Sequence, residues 1–331
     1  MVRAIDVLAI GDTTIDAFIK LKEATKTCDV HGEHCQLCVK YADKIPYESV
    51  EVLPGVGNAA NAAVACARIG LKSALRAYVG DDQYASDCIE WFNKNSVDTS
   101  LIVREKGSKT NYHYVLWYDV DRTILIKHEE YHYAMPELPL EPKWIYLSSM
   151  SDNSLPYHQE IGRYLLAHPN VKVAFQPGTF QMKLGVDTLK DIYSRTEIFF
   201  CNKEEAQRIL KIEERDEKKL LAGIRSLGPK IAVVTDGRNG LSAMDGTSIF
   251  HIPMYPDPKP PFERTGAGDA TASTTVAFLA LDMPLPEALM RGLINSMSVV
   301  QEVGAQKGLL PREKIEEWYA KRPVDFQAAA L

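Results

Sequence analysis

Residues 260–273, PPFERTGAGDATAS, set Gly266, Ala267 and Gly268 directly before Asp269 and then run on in small and apolar side chains. The prolines end whatever precedes them. Residues 270–281 (ATASTTVAFLAL) carry no charged side chain, the pattern of a buried helix. The three small residues therefore stand at a helix N-terminus, where first-turn N–H groups have no intrahelical partner. Bare N–H groups and the positive end of the helix dipole make an anion site. Side chains this small let a phosphate come close to the backbone. An aspartate there is repelled by any bound phosphate, so its place needs a reason. Two roles fit: a helix cap, or a general base held beside a phosphoryl group in transfer.

Outward from this segment the chain reads as repeated βα units. Residues 4–10 (AIDVLAI) form a buried strand ending at Gly11 and Asp12. Further strands are expected at 74–79, 144–147, 171–175, 197–200 and 231–234. Helices are expected near 58–69, 85–95, 157–167, 186–193 and 204–227, and three more complete the chain after the Pro-rich loop MYPDPKPP. Such units build a mainly parallel sheet with helices on both faces, and ligands bind beyond the carboxyl ends of its strands. Two segments, about 13–54 and 100–128, stand apart. TNYHYVLWYDVDRTILIKH (110–128) alternates around a turn at 119–121 like an exposed hairpin. Residues 22–49 are polar, with no helical period, and read as an insertion. The expectation is one α/β domain over 1–331: a three-layer α/β/α, doubly wound, mostly parallel sheet carrying a small β-rich flap.

Composition narrows the function. The 331 residues are 46% hydrophobic and 25% charged, ordinary for a soluble globular protein. A net charge of -6 argues against a nucleic-acid-binding surface. No apolar stretch is long enough to span a bilayer, and the opening MVRAIDVLAIGD does not read as a signal peptide. Six cysteines in a chain of this size do not suggest a disulfide framework, so a cytoplasmic, reducing compartment is expected.

Other motifs gather at strand ends. LPGVGNAANAA (53–63) partly matches a dinucleotide fingerprint through Gly55, Gly57 and Ala60, which makes a nicotinamide-dependent dehydrogenase a rival reading. Against it, Pro54 and the polar run YESVEV make a poor central strand. The alternatives are that Gly57, Asn58 and Asn61 bring backbone and amide groups to the hydroxyls of a polar substrate, or that a small-residue helix simply packs on a sheet. Asp12 and Asp16 suit vicinal hydroxyls of a sugar, or a turn. In CNKEEA (201–206), Asn202 and Glu205 have capping-box spacing, and the same pair could hold hydrated Mg²⁺ with its phosphates. VVTDGRNG (233–240) offers Thr235 and Gly237 to nucleotide phosphates. No GxxxxGK[ST] is present, so a P-loop kinase is excluded, and there is no GxSxG nucleophile elbow. CDVHGEHCQLC (28–38) supplies Cys28, His31, His34, Cys35 and Cys38 as a candidate structural zinc site, with free reduced thiols as the alternative.

Taken together, GDTTID, GVGNAANAAVACARIG followed by YVGDD, NKEEA, VVTDG and RTGAGDA resemble, in order and spacing, the PfkB (ribokinase-like) family of carbohydrate and nucleoside kinases. The resemblance spans nearly the whole chain, and RTGAGDA is its most specific element. It implies an ATP- and Mg²⁺-dependent phosphotransferase acting on a sugar, or in the alternative on a nucleoside. Asp269 falls at the catalytic aspartate, and Gly266 to Gly268 at the anion hole. Asn202 and Glu205 match the NxxE motif that positions Mg²⁺ and phosphates. Thr235, Gly237, Arg264 and Thr265 would line the nucleotide, with Asn295, Gly304 and Ala305 near its adenine side. Asp12, Asp16, Gly57, Asn58 and Asn61 fall at the acceptor site, and the flap corresponds to a lid that in many members pairs into a homodimer. A sugar-binding relative without catalysis is a further alternative, opposed by the intact TGAGD. Glu263-Arg264 replaces the family's usual Asp-Thr, which puts monovalent-cation activation in doubt. Val56 replaces a frequent glycine, and the Cys/His insertion is not part of the family pattern.

Overall fold

The computed structural model describes residues 4–29, 35–119 and 121–331. Its organisation follows from strands that are apolar on both faces. In Val7–Ile10, Val7 and Ala9 pack into one core while Leu8 and Ile10 pack into another. Only a sheet covered on both sides demands this. Nine strands make that sheet, in the order Ser73–Arg76, Val7–Ile10, Trp144–Leu147, Lys172–Phe175, Ile198–Asn202, Ile231–Thr235, Leu241–Asp245, Ser248–Ile252 and Ala329–Ala330. The run from Ser73–Arg76 to Ile231–Thr235 is parallel, and the remaining edge is antiparallel. Helices Asn58–Arg68, Ala267–Leu279 and Leu285–Val299 cover one face. Helices Leu155–Ala167, Lys190–Arg195, Lys203–Leu210 and Glu217–Ser226 cover the other.

The chain first winds to one side of Val7–Ile10 and then crosses to the other, so the strand order reverses between Val7–Ile10 and Trp144–Leu147. The carboxyl ends diverge there and open a crevice. Asp12 sits at that point, its N–H bonded to Ser149 O at 2.8 Å.

Over the crevice stands a second sheet of four strands, in the order Asp121–Leu125, Tyr112–Tyr118, Thr14–Leu21 and Tyr47–Val56. Its two-residue side-chain period puts His113, Val115 and Trp117 on the buried face and Tyr114 in solvent. Register aligns Asp16 with His113 and Phe18 with Val115 on one side, and Arg122 with Trp117 and Ile124 with Val115 on the other.

YESVEV, expected to make a poor central strand, lies in the ten-residue strand Tyr47–Val56. That strand is an edge of the small sheet, where Pro54 breaks no central ladder. The strand before Gly57 is thus outside the parallel sheet, and the dinucleotide fingerprint lacks its required setting. The helix expected over 204–227 is two helices: Lys211 turns left-handed at φ 56° and Asp216 caps the second through the N–H groups of Lys218 and Lys219. The insertion contains a two-stranded hairpin, Thr25–Cys28 with Cys35–Cys38.

Candidate active site

Helix Ala267–Leu279 starts at Gly266, whose φ of 80° is left-handed. A Cβ there would lie 2.4 Å from the Ala305 Cβ, so only glycine fits. Among the described residues, the N–H groups of Gly266, Gly268 and Asp269 have no acceptor. They face a cleft of about 390 Å³ together with the Thr265 hydroxyl, which is buried without a partner. The turn is held from behind by Glu263, which is 2% exposed. Its two carboxylate oxygens accept from Thr265 N (2.6 Å) and Gly304 N (2.8 Å).

Asp269 does not cap the helix with its side chain. Its carboxylate turns into the cleft, where Oδ1 accepts from Asn58 Nδ2 at 2.8 Å and Gln176 Nε2 at 3.0 Å, and Oδ2 from Asn61 Nδ2 at 2.7 Å. Three neutral amides therefore orient the carboxylate, and among the described residues no cation is paired with it. Two of those amides are themselves oriented. Gln306 donates to Asn61 Oδ1 at 2.8 Å, and the buried Tyr146 hydroxyl donates to Gln176 Oε1. Helix Asn58–Arg68 can reach Asp269 because Gly57 (φ 113°) lets its start approach Asp12, where a Cβ would come within 2.8 Å of the Asp12 carbonyl.

At the opposite wall, Asp12 is occupied by the protein. Its Oδ2 meets His128 Nδ1 at 2.8 Å and its Oδ1 accepts from Tyr133 at 2.8 Å. Burial first, then the Asp12 charge, push the Tyr133 hydroxyl well up, so it remains a donor. Asp16 Oδ1 lies 3.4 Å from His113 Nδ1, beyond good hydrogen-bond length, and both Asp16 Oδ1 and His113 Nε2 are buried without a hydrogen-bond partner. Those two atoms, unlike the Asp12 carboxylate, are free to meet a ligand. Phe180, Ile124 and Ile126 add an apolar side.

Asn202 and Glu205 form the reciprocal capping box, Asn202 Oδ1 with Glu205 N and Glu205 Oε2 with Asn202 N, each at 2.8 Å. Burial pushes the Glu205 carboxyl up from its ordinary 4.5, against the pull of the Asn202 N–H. Thr235, Arg264 and Ala305 line the same cleft, as do Asp12, Asp16, Gly57, Asn58, Asn61, Asn202, Glu205 and Thr265 to Asp269.

Gly237, Asn295 and Gly304 do not line it. Asn295, expected near adenine, is fully buried, linking Thr274 Oγ1 (2.7 Å) to Leu310 N (2.8 Å) and so tying helices together. Gly237 is in an exposed 3₁₀ turn, Gly237–Asn239, and Gly304 directs its N–H to Glu263. The zinc expectation also changes: Cys28 and Cys35 are directly opposed across the hairpin and joined as a disulfide, so neither sulfur is a thiolate ligand. Cys38 is free, and His31 and His34 lie outside the described residues. Among the described residues no group of three or more His, Cys, Asp or Glu could hold a metal ion. Among the described residues, no helix is long and apolar enough to cross a membrane.

Gln176, His113, His128, Tyr133, Arg122 and Phe180 were not singled out in the sequence. One signal was available for Gln176: it follows directly on a parallel strand, the place where α/β sheets bind ligands.

The architecture matches that of known kinases. A nucleoside kinase from Methanocaldococcus jannaschii, described as an archaeal member of the ribokinase family, matches at TM-score 0.76 and 17% identity over 97% of this chain and 100% of that one. Ribokinase from Arabidopsis thaliana, solved with ribose and ATP, matches at TM-score 0.77 and 16% identity over 95% and 98%. The fold is therefore the ribokinase fold. The chain itself belongs to the pfkB family of carbohydrate kinases, whose pattern covers residues 7–312. Among its relatives, the cytidine kinase of Thermococcus kodakarensis is 35% identical over 120 residues, 36% of this chain and 42% of that protein. The 5-dehydro-2-deoxygluconokinase of Geobacillus kaustophilus is 23% identical over 284 residues, 79% of this chain and 83% of that protein.

Proposed function

We propose that this protein transfers the γ-phosphoryl group of ATP to a hydroxyl of a free or simple sugar. The observation that carries the reading is the pairing of Asp269 with the bare N–H groups of Gly266 and Gly268 on one helix turn. Asp269 takes the proton from the acceptor hydroxyl as the oxygen attacks phosphorus. The N–H groups, with the Ala267 turn and the Thr265 hydroxyl, stabilise charge on the transferring phosphoryl group, and Arg264 adds positive charge beside it. Asn58, Asn61 and Gln176 hold the base in place, while Asp16 and His113 receive the acceptor's other hydroxyls.

Magnesium fits the cleft without an all-protein cage, because Mg²⁺ keeps several waters and takes one or two carboxylates plus phosphates. Glu205 Oε1, which makes no hydrogen bond among the described residues, and the Asn202 side chain would hold it. Bound there, the metal supplies charge neutralisation at the phosphates. A monovalent cation is not required on this reading, since Glu263 commits both oxygens to backbone N–H groups.

The whole chain works as one kinase domain, with the small sheet as a lid. Its outer face exposes Tyr47, Val50, Val52 and Tyr114, a surface suited to a second copy of the chain. A nucleoside acceptor is the second reading, favoured by Phe180, whose ring meets His128 at 5.5 Å on the cleft wall and could carry a base. Cytoplasmic residence is part of the proposal, and the Cys28–Cys35 disulfide is the feature that a reducing compartment opposes.

An ADP-release screen against sugars, sugar acids, sugar phosphates and nucleosides tests the reading. Asp269→Asn should keep ATP binding and lose turnover by about two to four orders of magnitude. Near-normal turnover in that variant would remove Asp269 from the chemistry.

A further inference from the structure

The charged groups lining the cleft divide into those with partners and those without. Asp12, Asp269 and Glu205 have hydrogen-bonding partners, and Asp16 faces His113 at 3.4 Å. The side chains of Arg122 and Arg264 have no hydrogen bond and no ion pair among the described residues, though both line the cleft. Arg264 belongs to the turn already described. Arg122 comes from the small sheet, and its Nε is buried without a partner. A guanidinium is always charged and presents a planar fork of donors. Partly buried, with its Nε out of solvent and unpaired, it is complementary to an anion that the described residues do not supply.

Its position narrows what that anion is. Arg122 is registered opposite Trp117 on the buried face of the sheet, at the end farthest from Asp16 and His113. The Trp117 ring packs edge-on against Phe262, with centroids 4.9 Å apart, and Phe262 is two residues before Arg264. The tip of the flap therefore rests on the segment that leads into the helix N-terminus. Arg122 from the flap and Arg264 from the body thus reach one cleft with no hydrogen-bonded or ion-paired carboxylate for either among the described residues.

We infer that Arg122 is a phosphate-binding residue delivered by the flap, completing a site whose body half is the Arg264–Gly268 turn. The inference rests on the kinase reading and adds to it a phosphate contact from the flap. The phosphate has two sources with the same chemistry: an ester on the acceptor, or the terminal phosphoryl of the donor.

The test begins with inorganic phosphate, titrated calorimetrically into the full chain saturated with ADP. Arg122→Ala should weaken phosphate binding at least tenfold and Arg122→Lys less, because the lysine keeps charge but loses the fork. Equal melting temperatures for the variants and the wild type establish that folding is intact. Phosphate that fails to bind the wild type, or binds both variants as well as the wild type, overturns the inference. Turnover then separates the sources. A loss about 100-fold greater on phosphorylated than on unphosphorylated sugars assigns the phosphate to the acceptor. An equal loss on every acceptor, with a raised KM for ATP, assigns it to the donor. Wild-type turnover with no loss in Arg122→Ala refutes the Arg122 role alone. Absence of wild-type turnover on every acceptor instead refutes the kinase reading, and leaves the phosphate titration to judge Arg122.

Discussion

Gln176 Nε2 stands 3.0 Å from Asp269 Oδ1, and the Tyr146 hydroxyl holds the other end of the same amide. A glutamine turned over would present its carbonyl oxygen to the carboxylate and repel it. Tyr146 prevents this by donating to Oε1. Burial pushes its hydroxyl well above the ordinary value of 10, so it stays a neutral donor at any working pH.

Loss of that order should appear in the rate and not in ATP affinity. Gln176→Ala removes a hydrogen bond to a charged group, worth about 1.5–3 kcal/mol, and should lower kcat about 10- to 100-fold. Tyr146→Phe should lower it less, about 3- to 10-fold by the size of a neutral hydrogen bond. In both variants KM for ATP should stay near the wild-type value. Steady-state kinetics check this, and an unchanged kcat in Gln176→Ala would leave the amide without a part in orienting the base.

Glu263 is expected to matter to stability before it matters to rate. Glu263→Ala strands the N–H groups of Thr265 and Gly304, each a penalty of about 1–3 kcal/mol. Urea unfolding should show a loss of about 2–6 kcal/mol for the two together, with Glu263→Gln intermediate because its oxygen can still serve one of the two. A Glu263→Ala protein as stable as the wild type would mean that the turn finds its order elsewhere.

Glu205 gives a pH signature of known sign. Its carboxyl is raised above 4.5 chiefly by burial, so between 4.5 and the raised value the native state holds more proton than the unfolded chain. Stability then falls as pH rises through that window. Glu205→Gln keeps an oxygen for the Asn202 N–H but cannot ionise, so the wild-type penalty should vanish. The stability difference between variant and wild type should shift in the variant's favour from pH 4.5 to pH 7. A difference independent of pH contradicts the assignment.

The cysteines can be counted directly. Cys66 and Cys88 are buried with thiols pushed up to about 12, and Cys201 is buried with its thiol well above the usual range. Native alkylation should therefore label Cys38 alone, unfolding should add those three, and only reduction should release Cys28 and Cys35. Mass spectrometry reads the order. Stoichiometric zinc by elemental analysis, with Cys28 and Cys35 labelled without reductant, would restore the metal reading of the loop.

What could be read in the sequence was local. The uncharged run after Asp269 and the small residues before it announce a buried helix with an open N-terminus, and Asn202 with Glu205 announces a capping box by spacing alone. What could not be read was long-range. Gln176 meets Asp269 across 93 residues and His128 meets Asp12 across 116, pairings that only the crossing of the parallel strands creates. Asn295 misled for the opposite reason, because an amide inside a helix pair is satisfied by Thr274 and Leu310 and has no need of a ligand. Pro54 was informative in the sequence, since it marks a strand unfit for the centre of a sheet and the structure places that strand on an edge.

Asp12 follows the central strand Val7–Ile10 and is held by His128 and Tyr133, whereas Asp16, one short step along the chain, lies in the flap strand Thr14–Leu21. On the proposed reaction, a molecule that offers its hydroxyl to Asp269 while gripping Asp16 ties the moving part to the fixed part by its own covalent length. Water is too short to make that tie. The enzyme would then protect its ATP from hydrolysis by measuring the span of the guest, with no separate latch.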